Sequence, residues 1–270
     1  MDEWLVAVLL GVLQGVLEWL PISSEGSIAL VVTAMGAAPT VSTQLGLFLH
    51  VGTALAALTY YRERIVAVLR GVPSWRPQDA FGPERATLSF LGIATAASFL
   101  TGGAAYFTIE EVASALSGGA FVSLIGALLV LTGVVQYVAD EEALSRRETP
   151  TLVDALLVGS LQGVAVLPGV SRSGTTVSAL LLRGHSGERS LDLSFMLSIP
   201  AGFGAGAIVL LDVGVPSISP TAGLLAVATS ALVGYFTVGA LVALVERVAF
   251  WGVCVGFGAL AVVGGLLVVL

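Results

Sequence analysis

Pro168-Gly169-Val170-Ser171-Arg172-Ser173-Gly174-Thr175 lies between two apolar segments, Leu152–Leu167 and Thr176–Leu182. Pro168 ends the first segment, because a ring without an N–H cannot continue a helix. Gly169 and Gly174 let the backbone turn tightly and approach a ligand closely. In and just after the stretch between them, three hydroxyls (Ser171, Ser173 and Thr175) and a guanidinium stand beside the start of a new helix. Such a start carries unpaired N–H groups and the positive end of a dipole, which suit an anion. Arg is the bidentate partner of phosphate oxygens. The stretch therefore reads as a phosphate-binding loop placed inside a membrane.

Composition sets that setting. The 270 residues are 56% hydrophobic and 11% charged, with a mean hydropathy of +0.99, as in a polytopic membrane protein. The acidic start Met1-Asp2-Glu3 lacks the positive n-region of a cleavable signal peptide. A single Cys254 rules out a disulfide framework within the chain. All 11 basic residues are Arg and the net charge is −7, an acidic, lysine-free balance that fits a halophile or a GC-rich genome. Nothing basic and clustered suggests nucleic acid.

Six apolar segments are long enough to cross: Val41–Tyr61, Ala86–Ile109, Gly118–Ala139, Leu191–Leu211, Thr221–Val245 and Ala249–Leu270. Two pairs are shorter. Trp4–Leu20 stops at Pro21 and is followed by a polar turn, then by Ile28 to Ala38, ~16 Å of helix against a core of ~30 Å. Thr176–Leu182 amounts to ~10 Å of helix. Both pairs are expected to be re-entrant hairpins with polar tips held at membrane depth by surrounding protein.

Charge supports the count. With six crossings and both hairpins returning, Arg62, Arg64, Arg70, Arg76 and Arg85 share a side with Arg146, Arg147, Arg183, Arg189 and Arg247. The opposite side carries Asp2, Glu3, Glu110, Glu111 and Asp212. The positive-inside rule puts the arginines in the cytoplasm and both termini outside.

The hairpins also repeat each other. Gly11-Val12-Leu13-Gln14-Gly15 matches Gly159-Ser160-Leu161-Gln162-Gly163 at an offset of 148 residues, which Gly26 and Gly174 keep. One membrane domain made of two inverted repeats, 1–140 and 150–270, follows, because an odd number of crossings inverts the second half. The two tips can then meet near the midplane.

Gln14 and Glu18, four residues apart, share one helix face. An intramembrane carboxylate is costly unless paired and is a functional hypothesis by default. Its partner is either Arg172 from the other tip or a metal bound with a phosphate. Ser24 becomes a nucleophile if Glu18 takes its proton, whereas Ser23 and Ser27 also suit helix capping. Glu25 is either a second acid or a solvated N-terminal charge. His50 fits packing as well as a site, and His185, in an Arg-Gly-His-Ser-Gly-Glu-Arg loop, is expected in solvent.

Gln14-Gly-Val-Leu-Glu18-Trp-Leu-Pro21-Ile-Ser23-Ser24-Glu-Gly26-Ser27 resembles the first signature of the undecaprenyl-diphosphatase (bacitracin-resistance) family. Pro168 to Thr175 resembles its second, and Phe195-Met196-Leu197-Ser198-Ile199-Pro200-Ala201 a third segment. The resemblance, to an archaeal or halophilic member, implies an all-α integral-membrane phosphatase with its active site facing outside. It would hydrolyse a polyprenyl, undecaprenyl-type, diphosphate to the monophosphate, recycling the lipid carrier for cell-envelope glycan synthesis. It implies Glu18, Ser24 and Arg172 as catalytic residues. Gln14, Ser23, Ser27, Ser171, Ser173, Gly174 and Thr175 would bind substrate. A divalent cation, Mg2+ or Ca2+, with Glu18 as its ligand, is the open cofactor expectation, and a homodimer the open assembly. One departure stands out: bacterial members usually have His where this chain has Ser27, and Thr where it has Glu25. Inverted repeats with broken helices are also transporter architecture, so a lipid or small-anion transporter or flippase is the alternative.

Overall fold

A computed structural model describes residues 2–116, 118–141, 147–214, 218–245 and 248–269, and among them the regular structure is helical. Helices α3 (Pro39–Tyr60), α5 (Ala86–Ala115), α6 (Gly118–Glu141), α9 (Gly187–Asp212), α10 (Pro220–Val245) and α11 (Trp251–Val269) carry the long apolar runs. All six are long and apolar enough to cross a membrane. The short pieces are α1 (Glu3–Leu17) with α2 (Ser24–Ala34), and α7 (Leu152–Val164) with α8 (Arg172–Leu182). At 1.5 Å per residue none of these reaches ~30 Å. One helix was not anticipated, α4 (Arg62–Leu69), which follows α3 on its polar side.

Two helix starts differ from the sequence expectation. Helix α2 begins at Ser24 rather than near Ile28, and α8 at Arg172 rather than Thr176. The polar motifs are themselves the first helical turns. Ser23 Oγ accepts from Gly26 N at 3.0 Å and Ser171 Oγ from Gly174 N at 3.1 Å, so each motif serine caps its own helix. Both helices stop at glycines in the left-handed region, Gly36 (φ 91°) and Gly184 (φ 85°).

Glycine sets the packing of α1 and α7. A Cβ at Gly11 would lie 2.5 Å from the Ala226 carbonyl oxygen, and one at Gly15 2.9 Å from Gly234 N, both on α10. A Cβ at Gly163 would lie 2.5 Å from Gly102 N on α5. The first short helix thus packs on a span from the second half of the chain, and α7 on a span from the first. Helix α3 is central, with 72% of its apolar window buried against 17% for α11.

Polar contacts separate the two ends of the bundle. At one end Arg64 pairs with Asp192, Arg189 Nη2 donates to Thr87 Oγ1 at 2.6 Å, and Arg183 Nε meets Asp154 Oδ1 at 2.6 Å. The last of these brings the start of α7 beside the end of α8. At the other end Ser219 N donates to Glu3 Oε1 (2.6 Å), Tyr106 OH to Asp212 Oδ2 (2.9 Å) and Gln44 Nε2 to Glu110 Oε1 (2.9 Å). Arg64, Arg183 and Arg189 thus share one end of the bundle; Arg146 and Arg247 lie outside the described residues. His185, expected in solvent, is buried there: its Nε2 lies 3.2 Å from Asp154 Oδ2 and its Nδ1 2.8 Å from the Arg147 carbonyl oxygen.

Candidate active site

The site forms where the first turns of α2 and α8 meet. Gly169 N donates to Ser23 Oγ at 3.0 Å, and Ser173 Oγ donates to the Leu20 carbonyl at 3.0 Å. A Cβ at Gly26 would lie 2.8 Å from Gly169 N, so the contact requires glycine. Two helix N-termini, each the positive end of a dipole, thereby open on one buried spot.

Glu18 is the hub. It follows the last residue of α1, where the chain turns toward Pro21, and is 6% exposed. Its Oε2 accepts from Gln14 Nε2 (2.9 Å) and Ser24 Oγ (2.8 Å), and its Oε1 from Arg172 Nη2 (2.6 Å). Of the two partners expected for Glu18, Arg172 is the one in place. The guanidinium lies over the Phe195 ring, 5.7 Å from its centroid, and its Nη1 makes only a long 3.4 Å bond to the Ser194 carbonyl. One arm of the fork is thus committed to Glu18 and the other weakly held. Ser24 is a hydroxyl donating to a carboxylate beside an arginine, the arrangement of a nucleophile with its base.

Two residues that the sequence left ambiguous join this hub. His50 on α3 places Nε2 3.1 Å from Glu18 Oε2 and 3.3 Å from Glu25 Oε1, while its Nδ1 lies 2.8 Å from the Gly46 carbonyl oxygen. Glu25 is 5% exposed, which overturns the solvated-charge alternative. Its side chain turns inward because α2 approaches α3 at Gly46, where a Cβ would stand 3.4 Å from the Glu25 Cα. The available signal was an uncharged-looking span carrying a lone His with a Gly one turn before it.

The remaining expected residues divide by what they touch. Gln14 orients Glu18, and its own Oε1 is buried without a hydrogen-bond partner. Ser23 and Ser171 are caps, and Ser27 Oγ donates back to the Ser23 carbonyl at 2.8 Å. Gly174 faces α6, where a Cβ would meet Gln136 Nε2 at 2.5 Å. Thr175 N completes a helical bond to the Ser171 carbonyl. Its neighbour Thr176 is instead the one that reaches the arginine turn, bonding the Arg172 carbonyl (2.8 Å) and Ser194 Oγ (2.7 Å).

The donor set decides how a divalent cation would fit. Both oxygens of Glu18 already accept from N–H and O–H donors, one of them cationic. Among the described residues no group of three His, Cys, Asp or Glu side chains could hold a metal ion. These residues do not fit a resident divalent ion.

A helical membrane protein whose short helices meet at a buried Ser–Glu–Arg cluster is a candidate for chemistry on an anionic lipid. The chain belongs to the bacitracin resistance protein BacA family, whose model matches residues 7–263. It is similar to the undecaprenyl-diphosphatase of Haloarcula marismortui, 56% identical over 273 residues covering 100% of both chains. The undecaprenyl-diphosphatase of Methanococcoides burtonii is 38% identical over 95% of this chain and 96% of its own. That of Pyrobaculum aerophilum is 37% identical over 97% of each.

Proposed function

We propose that the protein is an integral-membrane phosphatase that hydrolyses a polyprenyl, undecaprenyl-type, diphosphate to the monophosphate and inorganic phosphate. The observation that carries this is the Ser24 hydroxyl donating to Glu18 Oε2 at 2.8 Å with Arg172 on the other carboxylate oxygen. The names of the full-length relatives support the phosphatase over the transporter alternative.

The terminal phosphate meets the weakly held arm of Arg172 and the two helix N-termini, which stabilise charge on its oxygens. Ser24 Oγ bonds to the terminal phosphorus as the bridging P–O bond breaks, and the electron pair leaves with the polyprenyl monophosphate. The hydroxyl proton passes to Glu18. Water then attacks the phosphoserine, breaking the Oγ–P bond and releasing phosphate.

The membrane arrangement belongs to the same proposal. α1–α2 and α7–α8 are re-entrant hairpins of two inverted repeats, 1–140 and 150–270, which the exchanged packing of α1 on α10 and α7 on α5 supports. The arginine end is cytoplasmic, and both termini and the mouth of the site face outside. The test is release of inorganic phosphate from a C55 diphosphate by purified protein in detergent. Wild type releases it, and Glu18→Gln and Ser24→Ala do not; hydrolysis by both variants at the wild-type rate would refute the assignment.

A further inference from the structure

Resting on the phosphatase reading, we infer that His50 and Glu25 form a proton store for Glu18, taking up the proton that leaves Ser24 and freeing the carboxylate for the water step. The argument begins with hydrogen-bond inventory. A carbonyl oxygen only accepts, so His50 Nδ1, 2.8 Å from the Gly46 carbonyl, carries a proton. The other nitrogen, Nε2, lies 3.1 Å from Glu18 Oε2 and 3.3 Å from Glu25 Oε1. Two carboxylate oxygens and an imidazole lone pair cannot face one another in a dry site without a proton among them. Either Nε2–H is shared between the carboxylates, or Glu25 O–H donates to Nε2. In both forms the trio holds one proton more than a neutral ring with two carboxylates.

The surroundings confine that proton to the trio. Glu18 comes from α1, Glu25 from α2, and Arg172 from α8 bonds the far oxygen of Glu18. From α9 the ring's helix meets Gly202, and from α10 Ser230 Oγ donates to the Leu49 carbonyl. His50 is 7% exposed, so the store is shielded from bulk water.

The steps balance. When Ser24 Oγ bonds phosphorus, its proton lands on Glu18 Oε2, the same oxygen that faces Nε2. From the form with Glu25 protonated, Nε2 takes it, and Glu18 is a carboxylate again. In the second half water gives a proton to Glu18, and Ser24 recovers one as the Oγ–P bond breaks. The stored proton returns through Glu18 and leaves on the inorganic phosphate released last. His50 acts through Glu18 and is a positioning residue, not a group that touches phosphorus.

The test uses full-length protein in detergent. Glutamine at position 50 keeps a donor toward Glu18 but cannot gain or lose a proton. His50→Gln should lower kcat at least about tenfold with KM within about twofold, and should remove a pH-dependent limb of kcat. Glu25→Gln should do the same, and the double variant should be no worse than either single, as expected of one unit. A lower kcat with the wild-type pH profile would make His50 a packing residue and overturn the inference. A second readout needs no hydrolysis. The chain has 2 histidines, so the 15N imidazole signals of His50 can be assigned by their loss in His50→Gln. Glu25→Gln should move the Nε2 signal and leave Nδ1 in place; an Nε2 signal indifferent to Glu25→Gln refutes the store. Wild type that releases no phosphate would reject the phosphatase reading, while the 15N result still decides whether the proton is shared.

Discussion

Arg172→Lys separates a phosphate clamp from a structural counter-ion. The guanidinium bonds Glu18 Oε1 at 2.6 Å through Nη2 and holds Nη1 on a weak 3.4 Å contact, free to be redirected to an incoming phosphate. A lysine ammonium can keep the first bond or serve the phosphate, but it has no planar fork with which to do both. The variant therefore retains the fold-level pairing with Glu18 and loses one charge-assisted bond to the phosphoryl group in a dry site. Such a bond is worth about 1.5–3 kcal/mol, which corresponds to about a ten- to hundred-fold loss of rate. It also loses the stacking over Phe195, seen at 5.7 Å, though that term acts on free and bound enzyme alike. The assay is initial-rate release of phosphate from C55 diphosphate across substrate concentrations, beside the melting temperature of each protein. The expected result is a fall in kcat/KM of that size with a melting temperature near wild type. Activity within about twofold of wild type in a folded Arg172→Lys protein would show that the charge alone matters and would refute the clamp.

Three further outcomes follow from the fold. Cysteines introduced at exposed Ser74 and Ser114 should be labelled by a membrane-impermeant maleimide from opposite faces, with buried Cys254 silent; labelling of both from one face would refute the topology. Asp154→Asn should destabilise the protein by about 1–3 kcal/mol, because Arg183 loses its ionic partner and buried His185 loses an acceptor; an unchanged melting temperature would count against that lock. Gly15→Leu should prevent α1 from seating on α10, since even a Cβ would lie 2.9 Å from Gly234 N and Ser230 O. The readout is loss of the folded monodisperse species on size exclusion, and a stable Gly15→Leu protein would show that α1 is free to shift.

What the sequence disclosed and what it hid have different physical origins. The six long helices were legible because run length against bilayer thickness is a one-dimensional quantity; Ala86 and Gly118 begin helices where expected. Glu18 with Gln14 was legible because spacing of four fixes a shared helix face. The starts of α2 and α8 were set about four residues late, because Ser and Gly read as loop when scored for apolarity. Their hydroxyls in fact cap the helices they open. His50 and Glu25 were ambiguous, and His185 was wrongly expected in solvent, for another reason. Whether an intramembrane or loop His is satisfied depends on helices far away in sequence, and the Glu18, Glu25 and Asp154 oxygens that settle it come from α1, α2 and α7.

The imidazole at this site belongs to α3, while the bacterial pattern that the chain resembles differs from it at positions 27 and 25. That pattern places His at position 27, on α2. Here Ser27 Oγ is turned back onto the Ser23 carbonyl of its own helix, and the ring arrives from α3 as His50. The second departure, Glu25 in place of Thr, is the residue that His50 meets at 3.3 Å. The two differences are linked on the hypothesis that an imidazole supplied from the facing helix needs a second acceptor on α2, as Glu25 is here. If so, the ring should be transferable. His50→Ala should be impaired, and adding Ser27→His to it should recover at least about tenfold of the lost kcat, since general acid–base groups contribute at this scale or above. The recovered enzyme should regain a pH-dependent limb that His50→Ala lacks. If the doubly substituted protein folds with a wild-type melting temperature yet stays as slow as His50→Ala, the ring on α3 does something that no ring on α2 can replace. The link between the two departures would then fall.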